Sequence, residues 1–153
     1  MSEIEVIDYQ IHWTDEFNTI AEHIGQVAAG HLLRIDHIGS TSVPTLCAKD
    51  VIDIQITVED LTNEQLYTLL SNAGYQTRPN ITQDMLVGYD NSSAELQKRF
   101  FREQSGTRRA QFHIRQQGRV NQLYPLLFRD FLRYDELTRT AYAQVKRYTL
   151  VRD

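Results

Sequence analysis

The sequence lacks most of the features that mark secreted, disulfide-stapled or membrane proteins. Its 153 residues include one cysteine, Cys47, which excludes an internal disulfide and a cysteine-rich zinc site and is typical of a reducing compartment. No run approaches the roughly 18 apolar residues that cross a bilayer. Residues 1–10 carry acids instead of the basic start of a signal peptide. These absences favour a cytoplasmic protein without a membrane partner.

The sequence also lacks an excess of basic charge. Its formal net charge is -4, so any attraction to nucleic acid would have to come from a local surface. One segment, residues 99–109, mixes arginines with aromatic side chains as stacking platforms do. However, Phe100 and Phe101 are adjacent and would point to opposite faces of a strand. We therefore expect no nucleic-acid partner.

Length and hydrophobic periodicity indicate the fold class. Hydrophobic residues make up 41% of the chain, enough for one core, and the absence of a linker or repeat predicts a single domain over residues 1–153. Helical spacing predicts helices over residues 14–29, residues 62–72, and a pair from Val120 that meets near Asp135. Strands are predicted over residues 31–38, 51–58, 98–102 and 109–115, with the clearest alternation at 51–58 and 109–115, and weaker candidates lie at 3–9 and 85–89. This order favours an α+β fold, a mixed β-sheet with helices packed against it.

The most informative segment spans residues 37–58. A predicted strand ends in Gly39 and Ser40, a short connection follows, and the next strand carries Asp53 on its polar face. Glycine lets a backbone approach a ligand closely, and the amides and hydroxyls of Ser40 and Thr41 can cup a phosphate oxygen. Asp53 would then hold a metal bound to the same phosphates. A Gly-Ser pair on its own is more typical of a plain strand–turn–strand, in which the glycine makes the turn and the serine caps a short helix.

Several motifs along the chain resemble the signature of the GrpB family. In chain order they are Ile7-Asp8-Tyr9 with Trp13, His37-Ile-Gly-Ser-Thr-Ser-Val-Pro, Ala48-Lys49, Ile52-Asp53-Ile54, Gly74-Tyr75, Arg99-Phe100-Phe101, Phe112-His113-Ile114, Leu127-Phe128-Arg129-Asp130-Phe131-Leu132-Arg133, and Tyr142 with Lys146. The resemblance covers nearly the whole chain. Two positions depart from the family pattern: Thr45 replaces the glycine that usually follows Val-Pro, and Asp50 replaces the proline that usually follows the lysine.

The resemblance implies a nucleotidyltransferase-like fold. In that fold the Gly-Ser turn contacts a nucleoside triphosphate, and strand acids bind a divalent metal, for which we expect Mg²⁺. GrpB-like domains also occur fused to dephospho-CoA kinases. This chain has no Gly-x-x-x-x-Gly-Lys-[Ser/Thr] loop, and we therefore do not expect kinase activity.

The acids available for metal binding are few. Two-metal transfer needs acids that bridge ions roughly 3.5–4 Å apart, and active nucleotidyltransferases usually supply two of them at i and i+2 of one strand. Asp53 fills the first position, but Gln55 fills the second, where an amide cannot offset metal charge. Asp50 lies three residues before Asp53 and would point to the opposite face. If their strands are neighbours, His113 meets Asp53 either as metal ligand or general base, or as a structural strand histidine.

Basic side chains predict an anionic ligand. Arg129 and Arg133 share a helix face at i and i+4, although Arg129 is equally compatible with a buried structural pair with Asp130. Lys146 is interpreted as a solvated helix lysine. The complete set of predicted phosphate contacts is Gly39, Ser40, Thr41, Lys49, Arg102, Arg129 and Arg133, with Asp53 and His113 as catalytic residues and Asp53 as the metal ligand.

Two functions stay open at this point. The first is a Mg²⁺-assisted transfer of a nucleotidyl group from a nucleoside triphosphate to an unknown acceptor. The second is a catalytically silent domain of the same fold that binds a nucleotide or another phosphate-bearing small molecule. A weaker third is an RNA-acting member of the superfamily. The number of carboxylates separates the first two, and it favours the second.

Overall fold

The computed structural model describes residues 5–152. In chain order its elements are β1 (Val6–Ile7), α1 (His12–Val27), β2 (Arg34–Ile38), β3 (Ala48–Lys49), β4 (Ile52–Val58), α2 (Glu64–Asn72), β5 (Tyr75–Thr77), β6 (Arg99–Gln104), β7 (Ala110–Gln116), α3 (Val120–Tyr134) and α4 (Glu136–Arg152). Two short 3₁₀ turns lie in the connections, at Ser40–Ser42 and Ala94–Leu96. The predicted α+β class is confirmed.

The main sheet has five strands in the order β2-β4-β7-β6-β5. The pair β4 and β7 is parallel, and the other neighbours are antiparallel. β1 and β3 form a separate two-stranded sheet. The condition under which Asp53 and His113 could meet is thus fulfilled, because β4 and β7, the two strands with the clearest alternation, lie side by side.

The centre of the core comes from alternate residues of β4. Ile52, Ile54 and Ile56 are 0% exposed, and burying a side chain of this size stabilises a fold by about 1.5–3 kcal/mol. The neighbours in this core from the first two helices are Trp13, Ile24, Leu66, Tyr67 and Leu70, with Ala28 directly after α1. The alternate side chains, including Asp53 and Gln55, point to the other face of the sheet. That second face, against which α3 packs, carries the candidate site.

Several predicted boundaries shift because local hydrogen bonds decide where helices begin. α1 starts at His12, two residues before the predicted start, without a side-chain cap. α2 starts at Glu64 instead of residue 62, because Asn63 caps it by accepting from the Leu66 amide. The Thr62 amide and hydroxyl both donate to Asp60 and so belong to the preceding turn.

The strand predicted over residues 85–89 is wrong. Met85 and Val87 are 78% and 104% exposed, and this segment belongs to a long connection between β5 and β6. Gly88 interrupts extended backbone with a φ of +90°, and an isolated bridge joins Gln83 and Gln97. Of the strand predicted over 3–9, β1 keeps two residues, and residues 3–4 lie outside the described range.

The aromatic rings of β6 and the helices bear on possible nucleic-acid and membrane partners. Phe100 and Phe101 lie on opposite faces of β6, as predicted, and are 8% and 2% exposed, so neither offers a free ring for base stacking. In the part of the chain that the structure describes, every helix is too short or too polar to reach across a bilayer.

Candidate functional site

The turn after β2 lies directly against Asp53. Ile38 is the register partner of Asp53, so the chain leaves β2 beside that carboxylate. Gly39 follows with φ +71° and ψ -175°, a conformation that is essentially restricted to glycine. A Cβ at Gly39 would lie 2.7 Å from Asp53 Oδ2. Glycine is therefore required twice here, for its backbone angles and for the close approach of the turn.

His113 meets Asp53, as the sequence indicated for the case in which their strands are neighbours. Its Nε2 lies 3.4 Å from Asp53 Oδ1, and Lys98 Nζ lies 3.2 Å from its Nδ1. An ammonium group can only donate, so Nδ1 accepts, and Nε2 carries the proton and faces Asp53. Burial lowers the pKa of His113, the Arg115 and Lys98 charges add to this, and Asp53 opposes it. In this state His113 is a neutral donor to Asp53, and acting as a base or metal ligand through Nε2 would require the other tautomer.

Gln55, at the second acid position, is buried, and its amide is hydrogen-bonded within the fold. It is 0% exposed. Its Oε1 accepts from Arg115 Nη1 at 2.9 Å, and its Nε2 donates to the Gln122 carbonyl at 2.9 Å. Both ends of the amide are therefore occupied within the fold. Asp50 points away, as predicted, and accepts from the Trp13 indole at 2.8 Å and from Arg108.

Behind His113 lies a buried charge cluster that the sequence did not predict. Asp84 accepts from Lys98 at 2.8 Å, from Arg115 at 2.9 and 3.0 Å, and from Asn121 at 3.0 Å. Burial alone would raise the pKa of Asp84, but the hydrogen bonds and charges of Arg115 and Lys98 outweigh it and hold that pKa at about 2. Asp84 thus pairs with two cations and fixes Lys98 beside the imidazole.

Lys146 belongs to the site, and its interpretation as a solvated lysine is wrong. Its Nζ donates to Ser40 Oγ at 2.6 Å. Burial lowers the pKa of Lys146 from its ordinary value, and the Asp53 charge opposes this shift. The two side chains border a polar hollow of about 390 Å³, whose lining is Ser40, Thr41, Ala48, Lys49, Val51, Asp53, Gln111 and Lys146. We call this the phosphate hollow.

A second hollow, of about 340 Å³, lies on the other side of Asp53. It shares Ser40, Asp53 and Gln111 with the phosphate hollow. The ring wall opposite them consists of Tyr124, Phe128 and Tyr142. Tyr124 stacks on Phe128 with centroids 5.9 Å apart, and Tyr142 meets Phe128 edge-on at 5.5 Å. We call this the aromatic hollow. The two hollows share part of their lining, and we refer to them together as the cleft, which has a polar and an aromatic end.

The predicted phosphate contacts divide into three groups. Gly39, Ser40 and Arg129 line the aromatic hollow, and Ser40, Thr41 and Lys49 the phosphate hollow. The Thr41 hydroxyl, however, is bonded to His37 Nε2 at 2.9 Å and is buried. Arg102 and Arg133 form the third group, because neither is among the described residues that line the two hollows.

The three predicted arginines have other contacts as well. Arg133 Nε donates to the Ser42 carbonyl at 2.9 Å, and Arg129 Nη1 donates to the His37 carbonyl at 3.1 Å, so both hold the turn after β2. Arg129 also pairs with Asp130 at 2.9 Å, but Asp130 is 59% exposed, so this is not the fully buried pair considered from the sequence. Arg102 lies on the same sheet face as His113, opposite Gln111 in the register and one strand farther from Asp53.

The donor set fits one Mg²⁺ ion and does not fit two. Within residues 5–152, no group of three or more histidine, cysteine, aspartate or glutamate side chains is placed to hold a metal. Mg²⁺ commonly binds through one or two carboxylates together with substrate phosphates, and Asp53 satisfies that minimum. A second ion would lack a carboxylate, because Gln55 is an amide with both ends occupied.

His37 predicts how stability depends on pH. It is 6% exposed and its ring stacks on Phe17 at 4.8 Å. Burial, with help from the Arg133 charge, lowers its pKa from 6.5 to about 4. The unfolded chain therefore takes up this proton first, and the stability that His37 contributes falls as the pH drops from 6.5 towards 4, by about 3 kcal/mol in total. Denaturant unfolding at a series of pH values measures it, and His37→Gln is expected to flatten the profile in this interval. An identical slope in both proteins would contradict the assignment.

Comparison with known proteins identifies the family of the chain. The family model described as GrpB protein matches residues 3–152. The dephospho-CoA kinase of Mycobacterium bovis is 40% identical over 149 residues, which cover 88% of this chain and 36% of that protein. The chain thus spans about a third of the length of such curated relatives.

Solved structures show the same relationship. GrpB from Enterococcus faecalis superposes with a TM-score of 0.75 at 29% identity, covering 95% of this chain and 82% of that one. The Cid1 poly(U) polymerase superposes with a TM-score of 0.58 at 9% identity, covering 92% of this chain and 42% of that one, a likeness of fold alone. The chain belongs to the GrpB family, and its fold resembles that of the nucleotidyltransferases.

Proposed function

We propose that the domain binds a nucleotide, with the phosphates in the phosphate hollow and the base in the aromatic hollow. The observation that carries this proposal is the contact between Lys146 and Ser40 beside Asp53. Lys49 lines the same hollow, so two ammonium groups and one hydroxyl face a space that a single carboxylate shares. Such a space has a surplus of positive charge, which a phosphate group would neutralise.

The aromatic hollow supports a planar group at the other end of the ligand. Stacking of a base on an aromatic side chain contributes about 1–3 kcal/mol, and Tyr124 and Phe128 already present parallel rings. A hydrogen bond from a charged lysine to a phosphate contributes about 1.5–3 kcal/mol. Since the two hollows meet at Asp53, one molecule with a ring and a phosphate chain satisfies both ends at once.

Nucleotidyl transfer is the second candidate, and the meeting of Asp53 with His113 inside this cleft favours it. A single Mg²⁺ held by Asp53 and phosphate oxygens would offset phosphate charge there. The Cid1 poly(U) polymerase, a structure described with bound Mg and 3'-dATP, shares the fold. Binding ranks above transfer because this chain supplies one carboxylate at the site where two-metal chemistry uses more.

Isothermal titration with each of the four common nucleoside triphosphates tests the proposal. Lys146→Met is expected to weaken binding about 10- to 100-fold, because it removes one charge-assisted hydrogen bond to phosphate. Arg147→Met is the matched control: the neighbouring residue is half-exposed and pairs with the exposed Asp8, so binding should not change. Binding that survives Lys146→Met unchanged, or no binding by the wild-type chain, would refute the proposed site.

Asp53→Asn separates binding from transfer in the same titration. Without Mg²⁺, a carboxylate beside phosphate repels it, so Asp53→Asn should bind more tightly than wild type. If Mg²⁺ strengthens binding to the wild-type chain and Asp53→Asn abolishes that gain, the metal-assisted transfer gains support. If Mg²⁺ has no effect on either protein, the silent binding domain is supported and transfer is rejected.

A further inference from the structure

The outer face of α3 is apolar along its whole length. In the part of the chain that the structure describes, Leu127 is 68% exposed, Phe131 52% and Tyr134 91%. Leu123 and Tyr124, one turn earlier, are 46% and 50% exposed. A soluble helix normally presents polar side chains on the face opposite its core contacts. α3 instead has two apolar faces, and an exposed apolar face of this kind marks an interaction site.

The helical periodicity makes this face continuous. At 3.6 residues per turn, the exposed apolar residues fall within an arc of about 100°, and these residues are Leu123, Tyr124, Leu127, Phe131 and Tyr134. The half-buried Val120 lies within the same arc. The charged residues of the helix, Arg129, Asp130 and Arg133, all project outside that arc. A partner surface of complementary charge therefore has nothing to pair with here, and the matching surface must itself be apolar.

The spacing along the face is the same in both directions. From Val120 the steps run three, four, four and three residues through Leu123, Leu127 and Phe131 to Tyr134. An antiparallel copy of the helix centred on Leu127 would therefore meet itself in register. Val120 would oppose Tyr134, Leu123 would oppose Phe131, and Leu127 would oppose its own counterpart. This is the self-complementarity that a two-fold interface requires.

From this pattern we infer that α3 is a homodimer interface, in which two copies of the chain pack antiparallel about a two-fold axis at Leu127. The exposed parts of these side chains amount to on the order of 600 Å² per chain, close to the ~800 Å² per partner of a standard interface. Leu137, three positions after Tyr134 in the chain, is a further exposed apolar residue, at 82%. The dimer interface would lie next to the aromatic hollow, because Tyr124 lies at the edge of this face and also lines that hollow.

Sedimentation velocity over a wide range of chain concentration tests the inference. The wild-type chain is expected to show twice the mass of a single chain and to dissociate on dilution. Leu127→Arg places two like charges together at the two-fold axis and should give monomers throughout, with an unchanged circular dichroism spectrum. Val87→Arg, at a fully exposed loop position, is the matched control and should stay dimeric. A wild-type chain that is monomeric at every concentration overturns the inference and leaves the face to a different partner.

Cysteine cross-linking tests the arrangement of the two helices. The native Cys47 is 3% exposed, so an introduced surface cysteine reacts alone. Leu127→Cys should form an intermolecular disulfide readily under mild oxidation, because the two copies of this position meet at the axis. Leu123→Cys should not, since its counterpart lies near the other end of the partner helix. Equal cross-linking at both positions would contradict the antiparallel arrangement.

Discussion

Replacing Gly39 by alanine is expected to lower the free energy of unfolding by about 3 kcal/mol and to abolish nucleotide binding. The backbone at Gly39, with φ +71° and ψ -175°, costs a non-glycine residue on the order of 1–3 kcal/mol. In addition, the new Cβ would lie 2.7 Å from Asp53 Oδ2, so the carboxylate or the turn must move. Denaturant unfolding measures the first effect and calorimetric titration of a nucleoside triphosphate the second.

Gly30→Ala provides the control for this experiment. Gly30 has a φ of +83°, but no atom lies within 4 Å of a Cβ built there. The substitution should therefore cost only the backbone strain, about 1–2 kcal/mol, and leave binding intact. If Gly39→Ala binds nucleotide as well as Gly30→Ala does, the close approach of the turn to Asp53 has no part in ligand binding.

The second large effect is expected at the buried charge cluster. Asp84→Asn should destabilise the fold by about 3–5 kcal/mol, because it leaves buried cations without their counter-ion. The cations are Lys98 and Arg115, whose side chains are 8% and 7% exposed. Against a typical total stability of about 5–15 kcal/mol, a loss of this size is measured readily by urea unfolding.

Asp90→Asn is the matched control, since this aspartate lies in the same connection, is exposed, and its carboxylate accepts from the amide and hydroxyl of the nearby Ser92. Its substitution should change stability by less than about 1 kcal/mol. Combining Asp84→Asn with Lys98→Met should recover part of the loss, because one of the uncompensated charges is removed as well. If Asp84→Asn costs no more than Asp90→Asn, the cluster does not organise the site.

The sequence predicted those parts of the site that depend on strand alternation. The period of two placed Asp53 and His113 on one face and Asp50 on the other, and the structure confirms both. Alternation follows from the geometry of the strand itself, so it holds wherever a segment is a strand, independently of distant contacts. Alternation also placed Gln55 correctly on the site face. It did not reveal that both ends of the Gln55 amide are hydrogen-bonded, to Arg115 and to the Gln122 carbonyl.

The residues that were missed depend on distant contacts. Lys146 reaches Ser40 across 106 positions of the chain, and in the pattern of α4 it is indistinguishable from a solvated lysine. The family motif that pairs Tyr142 with Lys146 was the one signal for its role. Asp84 was missed because the following residues were predicted as a strand, whereas its binding partners lie on β7, on α3 and directly before β6.

The predictions for the basic residues have the same limit, because spacing along the chain does not show which group a side chain binds. Arg129 and Arg133 share a helix face, as predicted, yet they donate to the carbonyls of His37 and Ser42. Helical spacing predicts which side chains stand together, but it carries no information on whether a backbone carbonyl or a ligand accepts their hydrogen bonds. Much of the positive charge that appeared available for phosphate therefore holds the turn after β2 in place.

A crystal structure of the chain grown with a nucleoside triphosphate tests the central claim most directly. The account predicts phosphate oxygens within hydrogen-bond distance of Ser40 Oγ and Lys146 Nζ, and the base against the rings of Tyr124 and Phe128. A nucleotide bound instead in the open groove beside Arg99 and Arg119, about 1070 Å³ in volume at the far end of β4 and β7, with the two hollows unchanged, would contradict it.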